Sequence, residues 1–321
     1  MIKPVGRKPL GAIGHNKKQD KYLKIRITHF IAVCMYLSIL AGEGIQPYIF
    51  IGESGKTVDA TSSQLVQSLF FSDDLFEVIG QYTPMDNPEK KVLVVTNPTL
   101  RGILERSNPS AGYLGGIRIG ITRKGEMTYV SCQNPEYWAI AFLQDEYERE
   151  KAAITQFTKE LKRSIPRFRM RIDLEFGSTQ NFTEEDINTY RYKSRSPHFE
   201  DALIVGEFDS FSDALSSIEK NIDNSPHESL VFSTTVIEGR VQLIGIQLAQ
   251  ESEIFLLLDN ADRKHTACLP YELLIVENEV FILDPKYRLA ISFPDMKSKM
   301  FSKVKSISKK IESAFKAMMK E

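Results

Sequence analysis

The residues that could do chemistry in this sequence cluster at two similar places along the chain. A thiolate can act as a nucleophile beside a base, an arginine can bind an anion, and Asn, Asp and Tyr can bind a polar ligand. The enzymatic hypothesis joins Cys132 to a histidine and Asp284. The candidate ligand-binding residues are Arg118, Asn134, Tyr137, Asp284 and Tyr287.

The same residues also have a structural interpretation, which we favour. Asn134-Pro135 and Asp284-Pro285 are typical of a helix start, because the polar side chain accepts a free amide proton and proline has none to lose. A lone cysteine beside a strand is usually a small packed hydrophobe. Cys132 and Cys268 could pair in an exported protein, or each could be buried as a separate thiol.

Several classes of site are not indicated. His198, His227 and His265 fall in no metal-ligand spacing, and the sequence contains no phosphate-loop, dinucleotide or G-x-S-x-G motif. The sequence therefore predicts no metal and no cofactor. Eight Lys or Arg and two acids precede residue 45 in a chain of net charge -1, so the remainder is acidic. This charge distribution argues against a nucleic-acid partner.

The N-terminal 44 residues indicate the compartment. A basic region is followed by an apolar run over residues 28–42 and the small residues Gly42 and Gly44, which is the pattern of a signal peptide. The run is shorter than the roughly 20 residues that span a bilayer. We predict export, with a periplasmic location, and keep an uncleaved inner-membrane anchor facing the periplasm as the alternative.

The remaining pattern predicts an α/β fold of the α+β type, with antiparallel or mixed sheets. Alternation of Ile117, Ile119 and Ile121 with smaller or polar residues predicts a strand with one buried face. We predict a first α/β domain over 45–165, a connector over 166–197 and a second α/β domain over 198–321. Further strands include residues 254–258, and 297–320 forms a lysine-rich helix packed on its own domain, with contact to anionic lipid as the alternative.

Short matches between the two halves predict two tandem, duplicated sandwich domains. Asp59-Ala60 corresponds to Asp213-Ala214 at an offset of 154, and Asn134-Pro135 corresponds to Asp284-Pro285 at an offset of 150. Similar offsets in the same order are typical of an internal repeat.

These segments also resemble a known family. The stretches VLVVTNPTLRGIL, GGIRIGITRKGEMTYVSCQNPEYW and LPYELLIVENEVFILDPKYRLAISFPD are similar to bacterial proteins carrying the domain of unknown function 302. The resemblance covers most of the chain after residue 47 and implies a compact α/β sandwich, often in exported proteins, with no agreed activity. Leu269-Pro270 matches the family, whereas the first half has Gly115-Gly116 at that place.

Three functions follow from these observations. We favour a non-enzymatic exported module that binds a small ligand or an envelope protein. The alternatives are a periplasmic enzyme of unknown reaction and a membrane-anchored assembly factor.

Overall fold

Two antiparallel sheets with packed helices make up the computed structural model, which describes residues 44–258 and 265–320. The first sheet and its helices are β1 (Tyr48–Ser54), α1 (Val58–Phe70), β2 (Glu77–Tyr82), β3 (Lys90–Thr96), α2 (Pro98–Glu105), β4 (Ile117–Lys124), β5 (Met127–Gln133), α3 (Pro135–Leu143), α4 (Tyr147–Ser164), β6 (Met170–Phe176) and α5 (Glu184–Asn188). The second set is β7 (Leu203–Glu207), α6 (Phe211–Asp223), β8 (Ser229–Ile237), β9 (Val241–Gln247), α7 (Glu251–Leu258), β10 (Tyr271–Val276), β11 (Glu279–Ile282), α8 (Pro285–Ser292) and α9 (Ser298–Met318).

The two sheets share one strand order. The first sheet runs β2-β3-β4-β5-β1-β6, and the second runs β8-β9-β10-β11-β7 when read from its other edge. In each sheet the second, third, fourth, fifth and first strands of that half follow one another. The first sheet adds β6 at its edge. Every neighbouring pair is antiparallel. The α/β class with antiparallel sheets is therefore confirmed. The duplication stays a prediction, which the shared order favours.

Each half covers the inner face of the other half's sheet. A short 3-10 helix, Pro109–Leu114, packs on β9 and β10, and its counterpart Thr266–Cys268 packs on β3, β4 and β5. A Cβ at Gly120 would lie 2.7 Å from the Ala267 amide nitrogen, so β4 needs glycine at this contact. Both faces of β4 are therefore buried, although its alternation predicts one buried face.

One local prediction is wrong. Residues 254–258 belong to α7 and not to a strand, because a short apolar run does not distinguish the two and the acidic Glu251 and Glu253 suit a first helical turn. The helix through Trp138 ends before Gln144, which lies in the left-handed region with φ 52° and separates α3 from α4.

The predicted connector contains regular structure. β6 pairs with β1 at the edge of the first sheet, and α5 follows it. Thr183 and Asp186 form a capping box at the start of α5, because each side chain bonds the backbone amide of the other residue. The described residues from Gly44 onward form one compact unit.

The C-terminal helix α9 packs against the fold through one side. Its buried residues are Phe301, Val304, Ile307, Ser308, Ile311, Phe315 and Met318. Across residues 44–258 and 265–320, no helix combines the length and apolar character needed to cross a bilayer. The structure does not describe residues 1–43, so the predicted signal or anchor segment, with Cys34, lies outside the described residues.

Candidate functional site

The five residues predicted to bind a ligand are all buried. Arg118 lies on β4, Asn134 and Tyr137 lie at the start of α3, and Asp284 and Tyr287 lie at the start of α8. None of the five residues is more than 7% exposed. A ligand arriving from solvent would not reach them in this arrangement.

The two polar residues cap helices, as the sequence predicts. The Asn134 side chain accepts from the Glu136 amide at 3.3 Å, and the Asp284 carboxylate accepts from the Lys286 amide at 2.8 Å. Asn134 also donates through Nδ2 to the Gln46 carbonyl at 2.9 Å. These bonds satisfy amides that have no intrahelical partner.

The two tyrosines belong to the core between the halves. The Tyr137 hydroxyl donates to the Ile291 carbonyl on α8 at 3.0 Å. The Tyr287 ring lies 6.3 Å from the Phe199 ring, measured between centroids. Burial raises the pKa of both hydroxyls, so both stay protonated near neutral pH.

Arg118 does bind an anion, but that anion is a carboxylate of the same chain. Arg118 forms an ion pair with Glu272 on β10, and its NH1 also donates to Gln133 Oε1 at 3.1 Å. Arg288 on α8 bonds the same Glu272, with 3.2 Å between Nε and Oε2. We call Arg118, Glu272 and Arg288 the buried guanidinium cluster.

The guanidinium cluster is deeply enclosed. The three side chains are 1%, 4% and 4% exposed. Burial, and secondarily the positive charge of Arg288, lower the pKa of Arg118 to about 9. One carboxylate thus pairs with two cations at the junction of the two sheets, and the cluster keeps a net charge of +1. This arrangement fixes how the halves pack, and it offers no route for a ligand.

Corresponding positions of the two halves meet at this junction. Glu272 is 154 residues beyond Arg118, and Arg288 is 150 residues beyond Trp138. The Arg288 guanidinium carbon lies 5.4 Å from the centre of the Trp138 ring. Contacts between positions at the repeat offsets are what a two-fold arrangement of two similar units would produce. Sequence analysis missed Glu272 and Arg288, although those offsets were the signal that could have found them.

Cys132 and Cys268 are separate, buried thiols. Burial raises the pKa of each to about 12, so both are protonated at neutral pH. A protonated, inaccessible thiol is a poor nucleophile. Among the described residues, no group of three His, Cys, Asp or Glu is placed to hold a metal ion.

We expect neither thiol to react with Ellman's reagent in the folded protein at pH 7, because burial keeps both protonated and out of reach. Cys34→Ser as background leaves only these two cysteines. Denaturation without reductant should release both thiols, and Ser302→Cys, at an exposed position, gives the reactive control. Rapid modification of Cys132 before unfolding would contradict this expectation and favour the enzymatic alternative.

An open cleft lies away from these buried residues, between the predicted connector and the helices α8 and α9. Its volume is about 630 Å³. Five of its lining side chains are cationic and one is a carboxylate: Arg191, Lys193, Arg195, Lys286, Lys305 and Asp201. We call this the basic cleft.

Three segments position the cations of the basic cleft. The loop 191–197 supplies three of them, the start of α8 supplies Lys286, and the second turn of α9 supplies Lys305. Lys193 Nζ donates to the Ser298 hydroxyl at 3.4 Å. The Tyr192 ring stacks on Phe301 with 3.9 Å between centroids, which joins the loop to α9.

The charges in the basic cleft are mostly uncompensated. Asp201 lies 3.5 Å from Arg191, and Asp284 lies 3.4 Å from Lys286. No carboxylate of the described chain lies within ion-pair distance of Lys193, Arg195 or Lys305. Such a concave, cationic site with serine hydroxyls suits a small anion. From the sequence this stretch was interpreted as a connector, although its RYKSR run supplies three of the five cations.

Comparison with known proteins returns one structural match. No protein-family model and no curated protein matches the chain. Part of the chain resembles a DUF302 structure. This is the crystal structure of an uncharacterized conserved protein DUF302 from Bacillus stearothermophilus, at 16% identity and a TM-score of 0.32, covering 36% of this chain and 94% of that chain. DUF302 is the domain of unknown function 302, whose motifs the sequence resembles.

Proposed function

We propose that the protein is a non-enzymatic module that binds a small anionic ligand in the basic cleft. The observation that carries this proposal is the convergence of five cationic side chains on one cavity of about 630 Å³. That volume is within the range of ordinary small-molecule sites. One of these cations, Lys286, lies two residues after the predicted cap Asp284, in the first turn of α8.

The ligand would be held by charge and by hydrogen bonds together. Arginine can bind an oxyanion through two parallel N–H bonds, whereas lysine offers a mobile point charge. Ser196, Ser298 and Ser302 line the same cavity and could complete the contacts. The one carboxylate of the lining, Asp201, lies 3.5 Å from Arg191, and among the described residues no carboxylate or histidine hydrogen-bonds the three serine hydroxyls, which is why we favour binding over catalysis.

Isothermal titration with inorganic pyrophosphate tests the proposal. We expect saturable binding, and we expect Lys286→Gln combined with Lys305→Gln to raise the Kd at least tenfold, because both variants remove charge from the cleft. The matched control, Lys303→Gln with Lys309→Gln, removes two exposed lysines of α9 that do not line this cavity, and should leave the Kd unchanged. Equal losses in both double variants, or no saturable binding, would overturn the proposal.

The sequence motivates two further parts of this proposal. We propose that the chain is exported and acts in the periplasm, as the signal-like start indicates, and that residues 46–165 and 198–321 arose by duplication. An envelope protein as the partner and a membrane-anchored assembly factor are the alternatives. N-terminal sequencing of the mature protein decides between cleavage near Gly44 and a retained anchor.

A further inference from the structure

The exposed side of α9 forms a cationic surface. The helix runs for 21 residues, Ser298–Met318, and contains six lysines and one acidic residue, Glu312. All six lysines are exposed, at positions 299, 303, 305, 309, 310 and 316. We call this surface the lysine face.

The lysines lie in two rows beside a strip of serines. At about 100° per residue, Lys299, Lys303 and Lys310 share one row, and Lys305, Lys309 and Lys316 share the other. Ser302, Ser306 and Ser313 lie between the rows, and all three are exposed. The lysine face is therefore smooth along its centre, and at about 1.5 Å per residue it extends roughly 30 Å.

Most of this charge is available to a partner. Lys310 pairs with Glu253 and Lys316 pairs with Glu312, each at 2.7 Å. Within the described ranges, no carboxylate lies in ion-pair distance of Lys299, Lys303, Lys305 or Lys309. The whole chain has a net charge of -1, whereas α9 alone carries a net charge of +5.

The opposite side of α9 holds the helix in the fold. Phe301, Val304, Ile307, Ile311 and Phe315 are at most 6% exposed. Because these apolar side chains are occupied, α9 is not free to insert into a lipid core. Any contact through the lysine face is electrostatic and sensitive to salt.

We propose that the lysine face docks the protein on the surface of an anionic lipid bilayer. Its two rows of point charges on a smooth, extended face complement a flat array of lipid phosphates. Sequence-specific recognition of nucleic acid would require base-reading side chains, and binding of single strands would use aromatic stacking. The lysine face offers only lysine, serine and alanine besides Glu312. This docking is independent of the small-anion site, although Lys305 belongs to both surfaces.

Lysine acetylation of the full chain, read by mass spectrometry, tests the docking directly. Phosphatidylcholine vesicles containing phosphatidylglycerol should protect Lys299, Lys303 and Lys309 at least threefold, and vesicles of phosphatidylcholine alone should not. Raising the salt from about 0.1 M to 1 M should remove the protection, because the screening length falls from about 10 Å to 3 Å. Equal labelling with and without anionic vesicles would overturn the proposal, even if the N-terminal segment holds the chain on the vesicles.

A charge-removal series gives the second test. Replacing Lys299, Lys303, Lys309 and Lys316 together with glutamine should lower the partition of the chain onto anionic vesicles at least tenfold. The matched control replaces Lys56, Lys124, Lys159 and Arg169, which are exposed cations of the first half, and should partition like the wild type. Equal partition of the two quadruple variants would contradict the proposal. Tighter binding to duplex DNA than to anionic vesicles would also overturn it, in favour of a nucleic-acid partner.

Discussion

Replacing Glu272 with alanine should destabilise the protein by about 3–5 kcal/mol. The substitution removes the carboxylate that Arg118 and Arg288 share, and both guanidinium groups are almost completely buried. An unpaired charge in such surroundings loses its hydration without gaining a partner. Urea denaturation followed by tryptophan fluorescence measures the loss, since Trp138 lies beside Arg288.

The surface pair between Arg240 and Glu277 supplies the control. Its two side chains are 55% and 62% exposed, so Glu277→Ala should cost less than about 1 kcal/mol. Replacing the whole cluster, by Arg118→Met, Glu272→Leu and Arg288→Met together, should recover much of the stability, because no buried charge then remains unpaired. A Glu272→Ala variant as stable as Glu277→Ala would show that the cluster does not hold the two sheets together.

The features predicted correctly from the sequence are those determined by near neighbours in the chain. Asp284 before Pro285 caps α8 by accepting from the Lys286 amide at 2.8 Å, and this bond requires nothing from the rest of the fold. The strand β4, with its β-branched Ile117, Ile119 and Ile121, was predicted for the same reason. Local chemistry was sufficient in these cases.

Contacts over long distances in sequence could not be predicted in this way. Arg118 and Glu272 are 154 positions apart, and a surface anion site is an equally reasonable interpretation of an arginine in an alternating strand. The short helix Thr266–Cys268 covers the second face of β4. Arg118 is therefore buried and pairs with Glu272 instead of forming a surface anion site. The basic cleft was missed because its cations come from three separate segments, and each segment taken alone is an ordinary charged stretch.

The two proposed binding sites use different parts of α9. Lys305 lies in the basic cleft near the start of α9, whereas Lys309 and Lys316 extend the lysine face toward the chain end. A module whose cleft lies beside a membrane-facing surface would meet its anionic ligand close to the bilayer. The quadruple lysine-face variant leaves every lining residue of the basic cleft in place, so its affinity for pyrophosphate should match that of the wild type.

Stability should fall as the pH rises between about 4.3 and 8, through the titration of Glu251. Glu251 is buried in the first turn of α7 and accepts a hydrogen bond from the Tyr82 hydroxyl at 3.1 Å. Burial raises the pKa of this carboxyl to about 8, against the smaller opposing effect of the Tyr82 hydrogen bond. The folded state therefore holds a proton in this window that the unfolded state has lost.

The stabilisation from protonated Glu251 is complete below the unfolded pKa and is lost as the pH rises through the folded one. Over the whole window the change is on the order of 5 kcal/mol, at up to about 1.4 kcal/mol for each pH unit. Glu251→Gln, which resembles the protonated form, should match the wild type near pH 4 and exceed its stability at pH 8. Glu253→Gln, at a half-exposed position two residues away, should follow the wild-type pH dependence. Parallel curves for wild type and Glu251→Gln, from denaturation at each pH, would show that this carboxyl is ionised in the folded protein throughout the range.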